Sequence, residues 1–192
     1  GLYALVGEKP AGAGGNSYDD LVLLFKEWRE FVKPRVVDGV PDYSAAAMKE
    51  QREKLPAFQK RLAAIDSSRW PVAQQVDYHI VRAEMNGLDF DHRVLRPWSR
   101  MPFFYMSVTD SEHDVPLREG PEIYNPLDLW KYEFPLGKTA QAEFKVKLAA
   151  VPAILVQGKK NLTEETRDLW TLSLPVVRSE IDILEGLAKL LA

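Results

Sequence analysis

The chain has 192 residues, enough for one domain or at most two small ones. Its 25 basic and 28 acidic residues leave a net charge of −3, which argues against nucleic acid as the main partner, a role that calls for a basic face. Cysteine is absent, so disulfides, thiol nucleophiles and thiolate-bound metals are excluded, and only 3 histidines remain for a metal site or a catalytic imidazole.

Residues 1–16 read as a flexible leader. Glu8-Lys9-Pro10 followed by Ala11-Gly12-Ala13-Gly14-Gly15 has the composition found after a removed export signal or a tag. An exported location, periplasmic or secreted, is therefore expected, with the cytoplasm as the alternative. Residues 17–192 read as a single helical domain. Ser17 is placed as an N-cap, with Asp19 and Asp20 in the first turn. Leu21, Leu24, Phe25, Trp28, Phe31 and Val32 then follow helical spacing. The turn Asp38-Gly39-Val40-Pro41-Asp42 ends that element. Ser44 caps a second helix carrying Met48, Leu55, Phe58, Leu62 and Ile65, and Pro56 inside it is expected to kink or break it.

Trp70-Pro71 opens the third helix, which is expected to run to about Arg96 and stop at Pro97. Two apolar arcs are read on it. One holds Val72, Val76, Ile80, Ala83, Gly87, Phe90 and Val94; the other holds Tyr78, Val81, Met85, Leu88 and Leu95. A helix apolar on two sides is expected to be central, wedged between neighbours. Residues 99–137 form an irregular insert, broken by Pro102, Pro116, Gly120, Pro121, Pro126, Pro135 and Gly137. Thr139 caps a fourth helix with Phe144, Leu148, Val151 and Leu155 in line. Thr163-Glu164-Glu165-Thr166 starts a fifth, whose seam of Trp170, Leu174, Val177, Ile181, Leu184, Ala188 and Leu191 is spaced for packing along its full length. That helix shows no stop signal, so a longer parent protein is expected. Strand signals are nearly absent, so the fold class is all-α, a multi-helix array. No apolar run reaches the roughly 18 residues that a membrane-spanning helix requires.

Phosphate-loop, dinucleotide, zinc-helix and serine-elbow motifs are all missing. Between the arcs of the third helix lie Asp77, Glu84 and Asp91 at seven-residue spacing. They read first as structural ion pairs with arginines of adjacent helices, since an unpaired buried charge is very costly. The second reading is an acidic wall facing a cleft. His79 and His92 are separated by roughly 220° of helical rotation, so one straight helix cannot bring both to a single metal. His79 reads as a hydrogen-bonded core or boundary residue. His113 sits in Asp110-Ser111-Glu112-His113-Asp114, a solvated acidic loop on its plainer reading. Trp98, Phe103, Phe104, Tyr105, Tyr124, Trp130, Tyr132 and Phe134 read as packing. With Arg96 and Arg100 beside Trp98, a docking surface is the second reading.

Several stretches resemble a bacterial family, the domain of unknown function 885 group. They are Tyr18-Asp19-Asp20-Leu21, Trp28-Arg29-Glu30-Phe31, Asp38-Gly39-Val40-Pro41-Asp42-Tyr43 and Arg82-Ala83-Glu84-Met85. Asp77-Tyr78, Arg93-Val94-Leu95-Arg96-Pro97-Trp98, Ala149-Ala150-Val151-Pro152-Ala153 and Asn161-Leu162 extend the likeness over nearly the whole chain beyond the leader. These are framework motifs rather than catalytic ones. The resemblance implies a longer, exported helical protein similar to zinc metallopeptidases, with a His-Glu and Pro-Gly-His-His metal motif in its second half. No position here matches that motif, so no catalytic residue and no metal ligand is assigned. Zinc is implied for the full-length protein alone. The expectation is an N-terminal region that shapes one side of a peptide-substrate cleft. Its partner is the rest of the parent chain, or a second copy, through the helix of residues 170–191. A self-contained helical binding or scaffold module is the alternative.

Overall fold

A computed structural model describes residues 16–110 and 127–191. The leader up to Gly15, His113 with Ser111, Glu112 and Asp114, and Tyr124 lie outside the described residues. The fold is all-α: the described residues form five long helices, with four two-residue strands between them.

Ser17 opens α1 (Tyr18–Val32) through a reciprocal cap. Its hydroxyl accepts from the Asp20 amide at 3.2 Å, and the Asp20 carboxylate accepts from the Ser17 amide at 3.0 Å. Such a cap contributes about 1 kcal/mol by satisfying donors that the first turn leaves free. Leu21, Leu24, Trp28 and Val32 point inward. They meet Leu55 and Leu62 of α2 (Ala45–Ala63) and Val81, Met85 and Leu88 of α3 (Val72–Phe90) in one core. Phe31 and Phe58 stack beside it with ring centroids 4.5 Å apart.

Between α1 and α2 the Asp38-Gly39 turn closes a hairpin, β1 (Val36–Val37) against β2 (Val40–Pro41). Both turn residues have positive φ, 51° and 79°, as the tight turn of a two-residue hairpin requires. Gly39 packs on α5 (Lys138–Asn161): a Cβ placed on it would lie 3.3 Å from Ala150 Cβ. The hairpin is one link between the first three helices and α5.

Several expectations are corrected here. Pro56 does not break α2, which runs unbroken past it; Pro152 and Pro175 likewise sit inside α5 and α6 (Arg167–Leu191). All three are exposed, so the carbonyl that each deprives of a donor is on the water side of its helix. Gly137, not Thr139, is the N-cap of α5, and Thr139 lies within the helix. The α-helical part of α3 ends at Phe90. A widened π turn continues over Asp91–Leu95 and closes with the Arg96 amide on the Asp91 carbonyl at 2.7 Å. Arg96 then takes a left-handed backbone, φ 45°, before Pro97 opens the short α4 (Pro97–Arg100). A proline disfavours right-handed helix in the residue before it, which accounts for the break at this point.

The third helix is not apolar-packed on two sides. Val81, Met85 and Leu88 are buried, whereas Val72, Val76, Ile80, Phe90 and Val94 are exposed, because α1 and α2 pack on the same flank. The seam expected on α6 is also displaced. Its buried line runs through Ser173, Glu180 and Leu187, and Trp170, Leu174 and Ile181 are 43%, 50% and 49% exposed. Glu180 anchors this buried line. Its carboxylate accepts from the Ser107 amide at 2.7 Å, next to β3 (Val108–Thr109), which pairs parallel with β4 (Leu127–Asp128). Around that pair Val108, Leu127, Phe144, Val151 and Leu187 form the second core. Tyr105, Ala150 and Ile154 form a third, between the hairpin and α5. Among the described residues no helix is long and apolar enough to cross a membrane.

Candidate functional site

A cleft of about 350 Å³ opens where three separate parts of the chain converge. The first two turns of α2 supply Met48, Lys49 and Arg52. The π turn and α4 supply His92, Arg96, Trp98 and Ser99. The end of α5 and the linker behind it supply Lys160, Asn161, Thr163 and Glu164. This volume lies within the range of small-molecule sites, about 300–1,000 Å³.

Each wall is held by polar contacts that follow from the local folding. Gln157 uses both ends of its amide on the hairpin strand: its nitrogen donates to the Pro41 carbonyl (2.9 Å) and its oxygen accepts from the Tyr43 amide (2.8 Å). Asn161 donates to the Tyr43 carbonyl at 2.9 Å and to the Tyr105 hydroxyl at 3.0 Å. The Tyr105 hydroxyl in turn donates to the Trp98 carbonyl at 2.5 Å. Burial pushes the Tyr105 phenol far above its ordinary value, so it stays neutral and serves as a strut. On the opposite side Ser99 Oγ donates to Glu164 at 2.7 Å, Arg96 pairs with the same carboxylate at 2.8 Å, and Arg100 lies 3.8 Å from it. Arg100 also donates to the Val94 carbonyl at 2.8 Å. One glutamate thereby joins the strained π-turn segment to the start of α6.

The cleft floor is His92, 3% exposed, with its ring 4.8 Å from that of Trp98. Its Nε2 donates to Gln51 Oε1 at 3.0 Å. Burial holds the imidazole below its ordinary value. The Arg52 guanidinium adds to that effect, against Asp91 and Asp89. His92 is therefore neutral at pH 7, and it faces a rim of cations.

Of the residues singled out from sequence, the structure brings Arg96, Trp98 and Arg100 together at this cleft and its edge. Asp91 begins the π turn beneath it. Asp77, Glu84 and His79 lie elsewhere. Asp77 accepts from the Tyr18 hydroxyl at 2.7 Å, a neutral donor where an arginine was expected. Glu84 is buried on the flank of α3 that holds Met85. His79 is exposed and sits edge-on to Tyr78 at 5.6 Å, not in the core. The aromatic residues of the insert divide. Tyr105 is buried, Trp98, Phe104 and Tyr132 are half-buried, and Trp130 and Phe134 are exposed. Arg52, His92 and Lys160 were not read from the sequence as partners, because no local pattern links residues on three elements. Among the described residues no group of three or more His, Asp or Glu is arranged to hold a metal ion. They offer zinc no ligand set. Comparisons with protein-family models, with curated proteins and with solved structures returned no match.

Proposed function

We propose that this chain is a helical region without catalytic groups of its own. It forms one wall of a substrate cleft in a longer, exported, bacterial metallopeptidase-like hydrolase. The family is the domain of unknown function 885 group that its motifs resemble. The observation that carries the reading is the orientation of α6. This helix turns Ser173 and Glu180 inward and leaves Trp170, Leu174 and Ile181 outward. An apolar face of that kind is ready to pack on further protein, here the remainder of the parent chain. A second support is spatial. Tyr43, Arg96, Trp98 and Asn161 belong to three of the motifs that carry the resemblance, and all four line the cleft. The role of the region is then to fix access and register for a peptide substrate, while the metal chemistry belongs to the rest of the protein.

The test is a zinc titration by calorimetry with a peptidase assay on the chain alone. No stoichiometric zinc binding and no cleavage are expected. A tight zinc site, or peptide cleavage by this chain, would sink the reading. The second reading is a self-contained binding module. The two differ in what the exposed face of α6 does in solution.

A further inference from the structure

We infer that the cleft between the start of α2 and the end of α5 binds a small organic dianion. Four cations line it, Lys49, Arg52, Arg96 and Lys160, against a single carboxylate, Glu164. That excess is local, because the chain as a whole carries −3. Glu164 is already engaged by Arg96 and Ser99, and Lys49 lies 3.9 Å from Glu53. Among the described residues, neither Arg52 nor Lys160 forms an ion pair or a hydrogen bond. Arg96 commits one end of its fork to Glu164, and its Nε, buried, has no hydrogen-bond partner among the described residues.

Cations scattered on a helix surface are ordinarily just solvated. These come from three separate parts of the chain and line one cavity. Arg96 is fixed at the cleft by its left-handed backbone, φ 45°, between the π turn and Pro97. Two cations without an ion pair, Arg52 and Lys160, on the wall that also carries Arg96, match a ligand with two negative charges. Arginine forks suit carboxylate and phosphate oxygens equally. The cavity is larger than such a headgroup alone, and Trp98, Tyr43 and Met48 offer a half-apolar wall for an organic body. The ligand class is therefore a phosphate monoester or a dicarboxylic acid with a small aromatic or aliphatic body. This inference does not rest on the docking role of α6, and either can fail alone.

The experiment is calorimetric titration of the chain with phenyl phosphate, phthalate and inorganic phosphate at constant ionic strength. It is repeated on Arg52→Gln, Lys160→Gln, their double variant and the control Lys54→Gln. Arg52, Lys160 and Lys54 are all exposed, so the melting temperature should hold in every variant. Saturable one-to-one binding of at least one organic dianion is expected, weakened about tenfold or more by each cleft substitution and unchanged by the control. A preference for phenyl phosphate identifies the ester, and a preference for phthalate identifies the acid. Absence of saturable binding for all three probes, or equal affinity in the double variant, overturns the inference.

Discussion

Gly158 occupies a position where no side chain fits. A Cβ built on it would lie 2.6 Å from Cγ of Tyr105. The tyrosine cannot give way, because its hydroxyl is tied to the Trp98 carbonyl and to Asn161. Alanine would favour the helix by up to about 1 kcal/mol, but overpacking a fixed ring costs about 1–3 kcal/mol. Gly158→Ala is therefore expected to destabilise the chain. The loss should appear as a lower urea midpoint with an unchanged slope, and a midpoint at or above the wild-type value would contradict the packing described. The sequence shows a glycine near the end of a helix, with no sign that Tyr105, far away in the chain, requires it. Ser17 is the contrasting case. Its cap was legible because both partners lie within four residues, and so was the Asp38-Gly39 turn.

At the scale of elements, helical period located five helices because apolar spacing and caps are local signals. It misjudged which faces are covered. A stripe such as Val72, Val76 and Ile80, or Trp170, Leu174 and Ile181, has the right spacing to be buried, yet burial depends on which neighbour arrives. For α6 that neighbour is the backbone beside β3, and it demands an acceptor. Glu180 supplies it, although a charged residue in a helix reads as wet. Burial raises the Glu180 carboxyl above its ordinary value of 4.5, while the amides of Ser107 and Val108 pull partly the other way. A raised native value means that the folded state holds the proton more tightly than the unfolded chain. Its stabilising contribution is complete below the ordinary value and is lost as pH rises through the raised one. Glu180→Gln keeps an oxygen for the Ser107 amide and does not titrate. The variant should lose less stability than wild type as pH climbs from about 4.5 into the neutral range, measured by urea midpoints along that pH series. Parallel profiles would contradict this assignment for α6.

For the whole molecule, the all-α class followed from periodicity. The cleft did not. Arg52, His92 and Lys160 are brought together only when the hairpin carries α2 onto α5 through Gln157 and Asn161. Arg96, Trp98 and Arg100 were visible as a cluster because they lie close together in the chain. This assembly leaves one apolar surface uncovered. Trp170, Leu174 and Ile181 form an outward apolar line on a helix whose polar Ser173 and Glu180 face the core. Exposed apolar patches of this kind mark interaction sites. Sedimentation velocity of the chain over a hundredfold range of concentration, beside a Leu174→Glu, Ile181→Glu variant, tests this most directly. Concentration-dependent association of the wild type is expected, abolished in the variant with its helical content intact. A strictly monomeric wild type across the whole range would contradict it and favour a self-contained module.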